Sequence, residues 1–138
     1  MFERILVAYD GSIHAVKALK IAMDLCKKYG SSLNVAMAVN LPDLPAGDEI
    51  RREGTSYQGE LERAAEIARE ENIPVVTHML RGGVPDTLYH FAADNNFDLV
   101  IVGASGRHAV KRFLLGSVSA HLAANLDCPV MVVKEKNA

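Results

Sequence analysis

Five short apolar runs alternate along the chain with four longer stretches in which apolar residues recur every three or four positions. The short runs have the length and β-branched content of buried strands, and the longer stretches have the periodicity of amphipathic helices. The runs occupy residues 5–9, 33–39, 75–80, 99–102 and 130–133. Strict alternation of strand and helix favours right-handed crossovers and helices on both faces of one sheet. We therefore predict an α/β fold with an open five-stranded parallel sheet.

Residues with strong positional preferences mark the ends of the predicted helices. Ser12 is a suitable N-cap for the first helix, and Gly30 is placed to end it. Pro85 suits the first turn of the third helix. The apolar positions of the first helix are Ala15, Ala18, Leu19, Ala22, Leu25, Cys26 and Tyr29. The predicted inward face of the third helix consists of Leu88, Phe91, Ala92 and Asn95. Residues 41–47, with two prolines and a glycine, predict a mobile surface loop.

The composition restricts the class of protein. With 138 residues, of which 49% are hydrophobic and 23% charged, the chain suits a single domain over residues 1–138. Its net charge of -2 argues against wholesale binding to nucleic acid or to an acidic membrane. We expect no signal peptide and no membrane span, and the cytoplasm is the default compartment. The two cysteines, Cys26 and Cys128, indicate neither a disulfide framework nor a metal site.

The stretch after the fourth predicted strand carries three glycines and leads into a helix. Gly103 and Gly106 follow the strand, and Gly116 precedes Ser117, where a helical pattern begins. Glycines permit close backbone approach, and the unpaired N–H groups of a first helical turn point at an anion. Ser117 and Ser119 add hydroxyl donors. The stretch therefore predicts a phosphate-binding loop, and the alternative is a glycine-rich turn between two elements.

Positive charge lies between the second and third glycines of this stretch. Its carriers are Arg107, His108, Lys111 and Arg112, and Ser105 lies between the first two glycines. Such charge suits an anionic ligand. Residues 108–115 also have the pattern of a short amphipathic helix, in which the same charges simply face water.

The spacing of the glycines differs from that of two common phosphate-binding motifs. The pattern G-x2-G-x9-G-S lacks the third glycine of G-x-G-x-x-G and the lysine of G-x-x-x-x-G-K-[ST]. It resembles the ATP-binding loop of the universal stress proteins, and the resemblance covers residues 5–133. The resemblance implies an adenine nucleotide alpha hydrolase-like fold with strand order 3-2-1-4-5. It also implies nucleotide contacts at Asp10, Val39, Gly103, Gly106, Arg107, Gly116, Ser117, Val118 and Ser119.

The implied strand order gives these residues a common location. The direction of the sheet would change between the first and fourth strands, where ligands bind beyond the carboxyl ends of open α/β sheets. Asp10 ends the first strand and Gly103 ends the fourth, so the two are expected to face each other. Asp10 also suits a turn or a helix cap. The side chain of Val39 suits the core. The resemblance implies that the main chain at Val39 or Asn40 recognises the adenine edge.

The remaining polar residues show no catalytic or metal-binding arrangement in the sequence. His14, His78, His90 and His121 are scattered without ligand spacing, and we expect them to be surface or hydrogen-bonded histidines. No order of Ser, His and Asp and no pair of carboxylates is typical of a hydrolase. We therefore predict neither a catalytic residue nor a metal ligand from the protein.

These observations lead to a prediction of function and to three rivals. The prediction is a binding module or switch for ATP, ADP or AMP, with Mg²⁺ or Mn²⁺ held mainly by the phosphates. The first rival is a slow ATPase or self-phosphorylating enzyme that uses the same loop. The second is a scaffold that has lost nucleotide binding, which the intact glycines oppose. The third is an adenylating enzyme, which would carry a glycine-rich loop near the first strand, where residues 10–12 are too short for one.

The last predicted strand suggests how two copies associate. Val130, Met131, Val132 and Val133 form an apolar run that lies at a sheet edge in the implied order. Exposed apolar edges are covered, charged or paired in proteins. The resemblance implies that this strand pairs with its twin across a two-fold axis to form a homodimer. The alternative is a monomer whose edge is covered by a helix or by the tail.

Overall fold

The computed structural model describes residues 1–40, 56–104 and 116–135. Strands and helices alternate in these ranges, as the hydrophobic pattern predicts. The strands are β1 (Arg4–Ala8), β2 (Ser32–Val39), β3 (Val75–Arg81), β4 (Leu99–Gly103) and β5 (Val130–Val133). The helices are α1 (Ile13–Tyr29), α2 (Tyr57–Glu70), α3 (Val84–Asp94) and α4 (Ser117–Asn125). The predicted surface loop at 41–47 lies outside the described residues.

The five strands form one parallel sheet in the order β3-β2-β1-β4-β5. Ile5 of β1 aligns with Leu33 of β2 on one side and with Leu99 of β4 on the other. The predicted open parallel sheet and its strand order are therefore confirmed. The chain order reverses between β1 and β4, which places these two strands at the centre of the sheet.

The helices divide between the two faces of the sheet, and each face has its own apolar core. Alternate residues of the central strands point to opposite faces, so Val7 and Ile101 pack with α1 and α2. Leu6 and Val100 pack with α3 and α4 on the other face. Residues 5–8 and 99–102 are buried throughout, which explains why β1 and β4 are continuous apolar runs.

Local interactions at the helix ends confirm the predicted boundaries of α1. The Ser12 hydroxyl oxygen accepts a hydrogen bond from the Ala15 N–H group at 3.2 Å, which caps the first turn. Gly30 ends the helix at a φ of 68°, and its N–H group donates to the Cys26 carbonyl. Pro85 occupies the first turn of α3, as predicted.

Two residues predicted on apolar helix faces lie instead at exposed helix ends. Asn95 follows the last helical residue of α3, and its side-chain amide donates to the Phe91 carbonyl at 2.7 Å. The asparagine thus satisfies a carbonyl of the last turn that has no helical partner. Tyr29 is 58% exposed at the end of α1, where its ring meets Phe2 edge-on at 6.0 Å. Helical spacing correctly predicted Tyr29 as helical, whereas Asn95 caps α3, and it predicted the burial of neither residue, because both helices run past the edge of the core.

A histidine and an asparagine form a polar pair under α3. His78 Nε2 lies 3.0 Å from Asn34 Oδ1, and its ring packs against Phe91 with centroids 4.7 Å apart. Because an amide oxygen only accepts, Nε2 carries the proton. Burial, with the positive charge of Arg4 as a smaller cause, lowers the pKa of His78. His78 is thus a hydrogen-bonded histidine, as predicted.

None of the helices in the described ranges is long and apolar enough to cross a membrane.

Candidate functional site

A cavity of about 150 Å³ opens at the carboxyl ends of β1 and β4, where the chain order of the sheet reverses. The β1 side contributes Ala8, Tyr9 and Asp10, and β4 contributes Val102 and Gly103. The first residues of α4 close a third side with Gly116, Ser117, Val118 and Ser119. Six of the predicted site residues therefore line one cavity, namely Asp10, Gly103, Gly116, Ser117, Val118 and Ser119.

Asp10 has a structural contact at the rim of this cavity. One oxygen of its carboxylate accepts a hydrogen bond from the Ser12 N–H group at 2.9 Å. This bond spans Gly11, which has a φ of 81°, and it holds the tight turn between β1 and α1. Asp10 therefore serves the turn while it lines the cavity, so the structural and binding interpretations are compatible.

Gly103 allows α1 to approach the end of β4. A Cβ atom built on Gly103 would lie 2.7 Å from the His14 Cβ atom and 3.1 Å from the His14 carbonyl carbon. The Ala15 N atom would lie 3.2 Å away. Two of these three atoms, the His14 carbonyl carbon and the Ala15 N atom, belong to the backbone of the first turn of α1, which cannot move aside without moving the helix. The sequence assigned this glycine to phosphate approach, whereas the structure adds a packing reason that needs no ligand.

The start of α4 presents main-chain donors to the cavity. Gly116 is the N-cap, with φ and ψ of −67° and 163°, and its own N–H group donates to the Ala104 carbonyl at 2.7 Å. The N–H group of Ala120 donates to the Gly116 carbonyl at 3.0 Å and begins the intrahelical ladder. The N–H groups of Ser117, Val118 and Ser119 precede that ladder, so they lie at the positive end of the helix dipole. This geometry suits an anionic group.

The two serines of the first turn differ in their surroundings. Ser117 is exposed, whereas Ser119 is only 1% exposed. The Ser119 hydroxyl donates to the Ala104 carbonyl at 2.9 Å and lies 3.1 Å from the Gly116 carbonyl oxygen. Its proton is therefore held by main-chain oxygens, while the Ser117 hydroxyl lies at the surface.

Val39 is not among the residues that line the cavity. Its side chain is 3% exposed in the core beneath α1 and α2, and its carbonyl accepts a hydrogen bond from the Gly82 N–H group at 3.0 Å. Its neighbour Ala38 points to the opposite face and does line the cavity.

An apolar wall from α3 was missed in the sequence. Val84 and Leu88 line the cavity from the first two turns of that helix, opposite Ala38 and Ala8. The sequence assigned Leu88 to the core, because helical spacing alone does not separate a core position from a cavity wall. The available signals were the small residue at position 38 and Pro85, which occupies the first turn of α3.

Two predicted site residues, Gly106 and Arg107, lie outside the described residues, as do Ser105, His108, Lys111 and Arg112. In the ranges that the structure describes, no group of three or more His, Cys, Asp or Glu residues could hold a metal ion.

Comparison with known proteins identifies a family. Residues 1–134 match the model of the universal stress protein family. A universal stress protein of Thermus aquaticus, encoded in the QAH/OAS sulfhydrylase 3' region, is 33% identical over 140 residues, which cover 97% of this chain and all of that protein. A universal stress protein of Methanocaldococcus jannaschii is 28% identical over 145 residues, covering 98% of this chain and 84% of that protein.

Solved structures show the same architecture. A crystal structure of a universal stress protein in complex with cAMP superimposes with a TM-score of 0.76 at 25% sequence identity. The match covers 95% of this chain and 96% of that one. The expected adenine nucleotide alpha hydrolase-like fold is thereby confirmed.

The packing at Gly103 predicts that Gly103→Ala destabilises the protein even without a ligand. The added Cβ atom lies within 3.1 Å of the α1 backbone, and overpacking of this kind costs about 1–3 kcal/mol. Chemical denaturation of the purified protein measures the loss.

Gly83→Ala is the matched control for this substitution. A Cβ atom at Gly83 meets nothing within 4 Å, but Gly83 is the N-cap of α3, where alanine is a poorer cap than glycine. The lower entropy of the unfolded alanine chain opposes that cost, so the free energy of unfolding should fall by less than about 1 kcal/mol. Equal stability of the Gly103 and Gly83 variants would contradict the packing argument.

Proposed function

This chain belongs to the universal stress protein family, and we propose that it is an adenine-nucleotide-binding module that acts as a switch in a stress response. The nucleotide would occupy the cavity between the ends of β1 and β4. The observation that carries the proposal is the start of α4, whose first N–H groups have no partner within the helix and lie at a partly apolar cavity at the reversal of the sheet.

The phosphates are proposed to lie at the α4 end of the cavity. The N–H groups of Ser117 and Val118 supply donors there, and the N-cap Gly116 leaves space for an anion because it carries no side chain. Gly106 and Arg107 are proposed to complete the phosphate site on the basis of the sequence pattern. Mg²⁺ or Mn²⁺ is proposed to bind through the phosphates, as divalent cations commonly do in nucleotide sites.

The base is proposed to lie at the apolar end, against Ala38, Val84 and Leu88. Apolar walls suit the faces of a purine ring, and the small side chains of Ala8 and Ala38 leave room for one. The related structure in complex with cAMP supports an adenine nucleotide as the ligand class. Asp10 would meet the ribose or the base, with the main chain at Val39 or Asn40 reading the base edge.

We propose that the protein functions by binding the nucleotide and not by turning it over in metabolism. A partner protein or a second copy of the chain would then distinguish the nucleotide-bound protein from the empty one. A fixed set of main-chain donors stabilises a bound phosphate chain in its ground state, and ground-state stabilisation alone does not accelerate hydrolysis. We also propose that the protein works in the cytoplasm and does not bind nucleic acid, in line with its net charge of -2.

The same edge strand that the sequence singled out is proposed to form a homodimer. β5 is the terminal strand of the sheet and hydrogen-bonds to β4 on one side. Val130, Met131 and Val132 are half-buried, while Val133 is buried. Pairing of β5 with its twin across a two-fold axis would cover this edge in both copies.

Calorimetric titration of the purified protein with ATP, with and without Mg²⁺, tests the site. Gly116→Val places a branched side chain where the phosphate is proposed to lie, so ATP affinity should fall about tenfold or more. The backbone conformation of Gly116 is open to valine, so the variant should fold. Equal affinity of the two proteins would rule out this site, and release of inorganic phosphate at many turnovers would favour the ATPase rival.

Base recognition predicts that GTP binds more weakly than ATP. A buried donor or acceptor left without a partner costs about 1–3 kcal/mol, which corresponds to a loss of affinity of roughly tenfold or more. Competition titration of ATP-loaded protein with GTP measures the difference. If GTP competes as well as ATP, only the phosphate part of the proposal survives.

Val132→Lys tests the proposed dimer. The lysines of two copies would lie close together across the axis, and their like charges should weaken the dimer. Sedimentation over a concentration series compares the variant with the wild type. A wild type that keeps the 15.0 kDa monomer mass at high concentration would refute the dimer, and a dimer unaffected by lysine would place the interface elsewhere.

A further inference from the structure

Ser119 is a polar residue of the candidate site whose side chain is withdrawn from solvent. It is 1% exposed, and the described contacts of its hydroxyl are the Ala104 carbonyl at 2.9 Å and the Gly116 carbonyl at 3.1 Å. A hydroxyl has one proton to donate, and the shorter contact assigns it to Ala104. The sequence had given this hydroxyl a direct role as a phosphate donor.

The two residues that Ser119 contacts flank one segment of the chain. Ala104 precedes residues 105–115, and Gly116 follows them. The Gly116 N–H group donates to the Ala104 carbonyl at 2.7 Å, so this carbonyl accepts from Gly116 and from Ser119 together. Ala104 is fixed in turn, because its N–H group donates to the Val133 carbonyl of β5 at 2.7 Å. These bonds join both ends of the segment to the sheet.

We propose that Ser119 is a positioning residue for the nucleotide site. Its hydroxyl holds the Ala104 carbonyl against the first turn of α4, and this contact fixes the direction of the N–H groups of Ser117 and Val118. The donors are then oriented before a phosphate arrives, so binding does not pay the entropy of ordering them. The effect on affinity rests on the proposed nucleotide binding, whereas the effect on the backbone does not.

The first measurement is amide hydrogen exchange at Gly116 in the nucleotide-free protein, followed by NMR. Ser119→Ala removes one of the two donors to the Ala104 carbonyl and leaves a smaller side chain, so the variant should fold. Exchange of the Gly116 amide should accelerate roughly fivefold to tenfold, as expected for the loss of one buried hydrogen bond. A direct phosphate contact predicts no change in this protein without nucleotide.

The second measurement is ATP affinity, for which the same variant should show a loss of roughly fivefold or more. Ser31→Ala is the matched control, because the Ser31 hydroxyl also donates to a main-chain carbonyl, that of Phe2, far from the cavity at the start of β1. It should leave both ATP affinity and Gly116 exchange unchanged. Ser117→Ala should also leave Gly116 exchange unchanged, since the exposed Ser117 hydroxyl is not part of this contact.

Other results of the exchange and affinity measurements would overturn the positioning role, the proposed function or both. Unchanged Gly116 exchange in Ser119→Ala, with or without a loss of ATP affinity, would overturn the positioning role, and with such a loss it would restore the direct contact. Accelerated exchange with unchanged ATP affinity would overturn the positioning role alone. A wild type that binds no ATP would overturn the proposed function and the positioning role with it. The exchange data would still establish whether Ser119 stabilises the hydrogen bond between Gly116 and Ala104.

Discussion

The structure depends on the close approach of α1 to the end of β4. β1 and β4 are neighbours at the reversal of the sheet, and α1 leaves β1 on one face while α4 follows β4 on the other. The first turn of α1 can lie over β4 only because Gly103 has no side chain, since a Cβ atom there would meet the His14 backbone at 3.1 Å. The cavity is the space left between the two diverging connections. The architecture therefore generates the site, and the glycine that permits it also forms part of its wall.

Main-chain hydrogen bonds connect this cavity to the outer strand. The Ala104 N–H group donates to the Val133 carbonyl of β5, and the Ala104 carbonyl accepts from Gly116 and Ser119. The start of α4 and the end of β5 are therefore both hydrogen-bonded to Ala104. Beyond β5, the Glu135 N–H group donates to His14 Nδ1 at 3.0 Å, and Lys17 Nζ donates to the Lys134 carbonyl at 2.9 Å. The chain after the edge strand is thus attached to the first turns of α1, beside the same cavity. If β5 pairs with a second copy, the residues that hold the proposed nucleotide site also anchor the dimer edge.

Features set by neighbouring residues were predictable from the sequence, and features set by distant ones were not. Apolar periodicity predicted every described strand and helix, and Ser12 and Gly30 predicted the ends of α1, because caps are local interactions. Strand order came from the resemblance, since no periodicity encodes it. The burial of Ser119, the walls at Val84 and Leu88, and the contact between Gly103 and His14 all join residues far apart in the chain. Asn95 and Tyr29 were misplaced for the same reason, because helical spacing does not reveal where the core ends.

In a site whose hydrogen-bond donors belong to the main chain, the donors do not depend on the side chains of the residues that carry them. The N–H groups of residues 117–119 are present whatever side chains those residues carry, so a substitution at Ser117 removes a hydroxyl and leaves the helix-end donors in place. On the positioning proposal, their direction depends instead on two residues at the start of α4, namely Gly116 at the N-cap and Ser119 at the Ala104 carbonyl. Such residues would act on the affinity for the proposed ligand through geometry, because a displacement of the donors by a few tenths of an ångström would weaken every phosphate hydrogen bond at once. On this proposal, side chains without direct ligand contacts control how well the backbone of the candidate site can bind an anion.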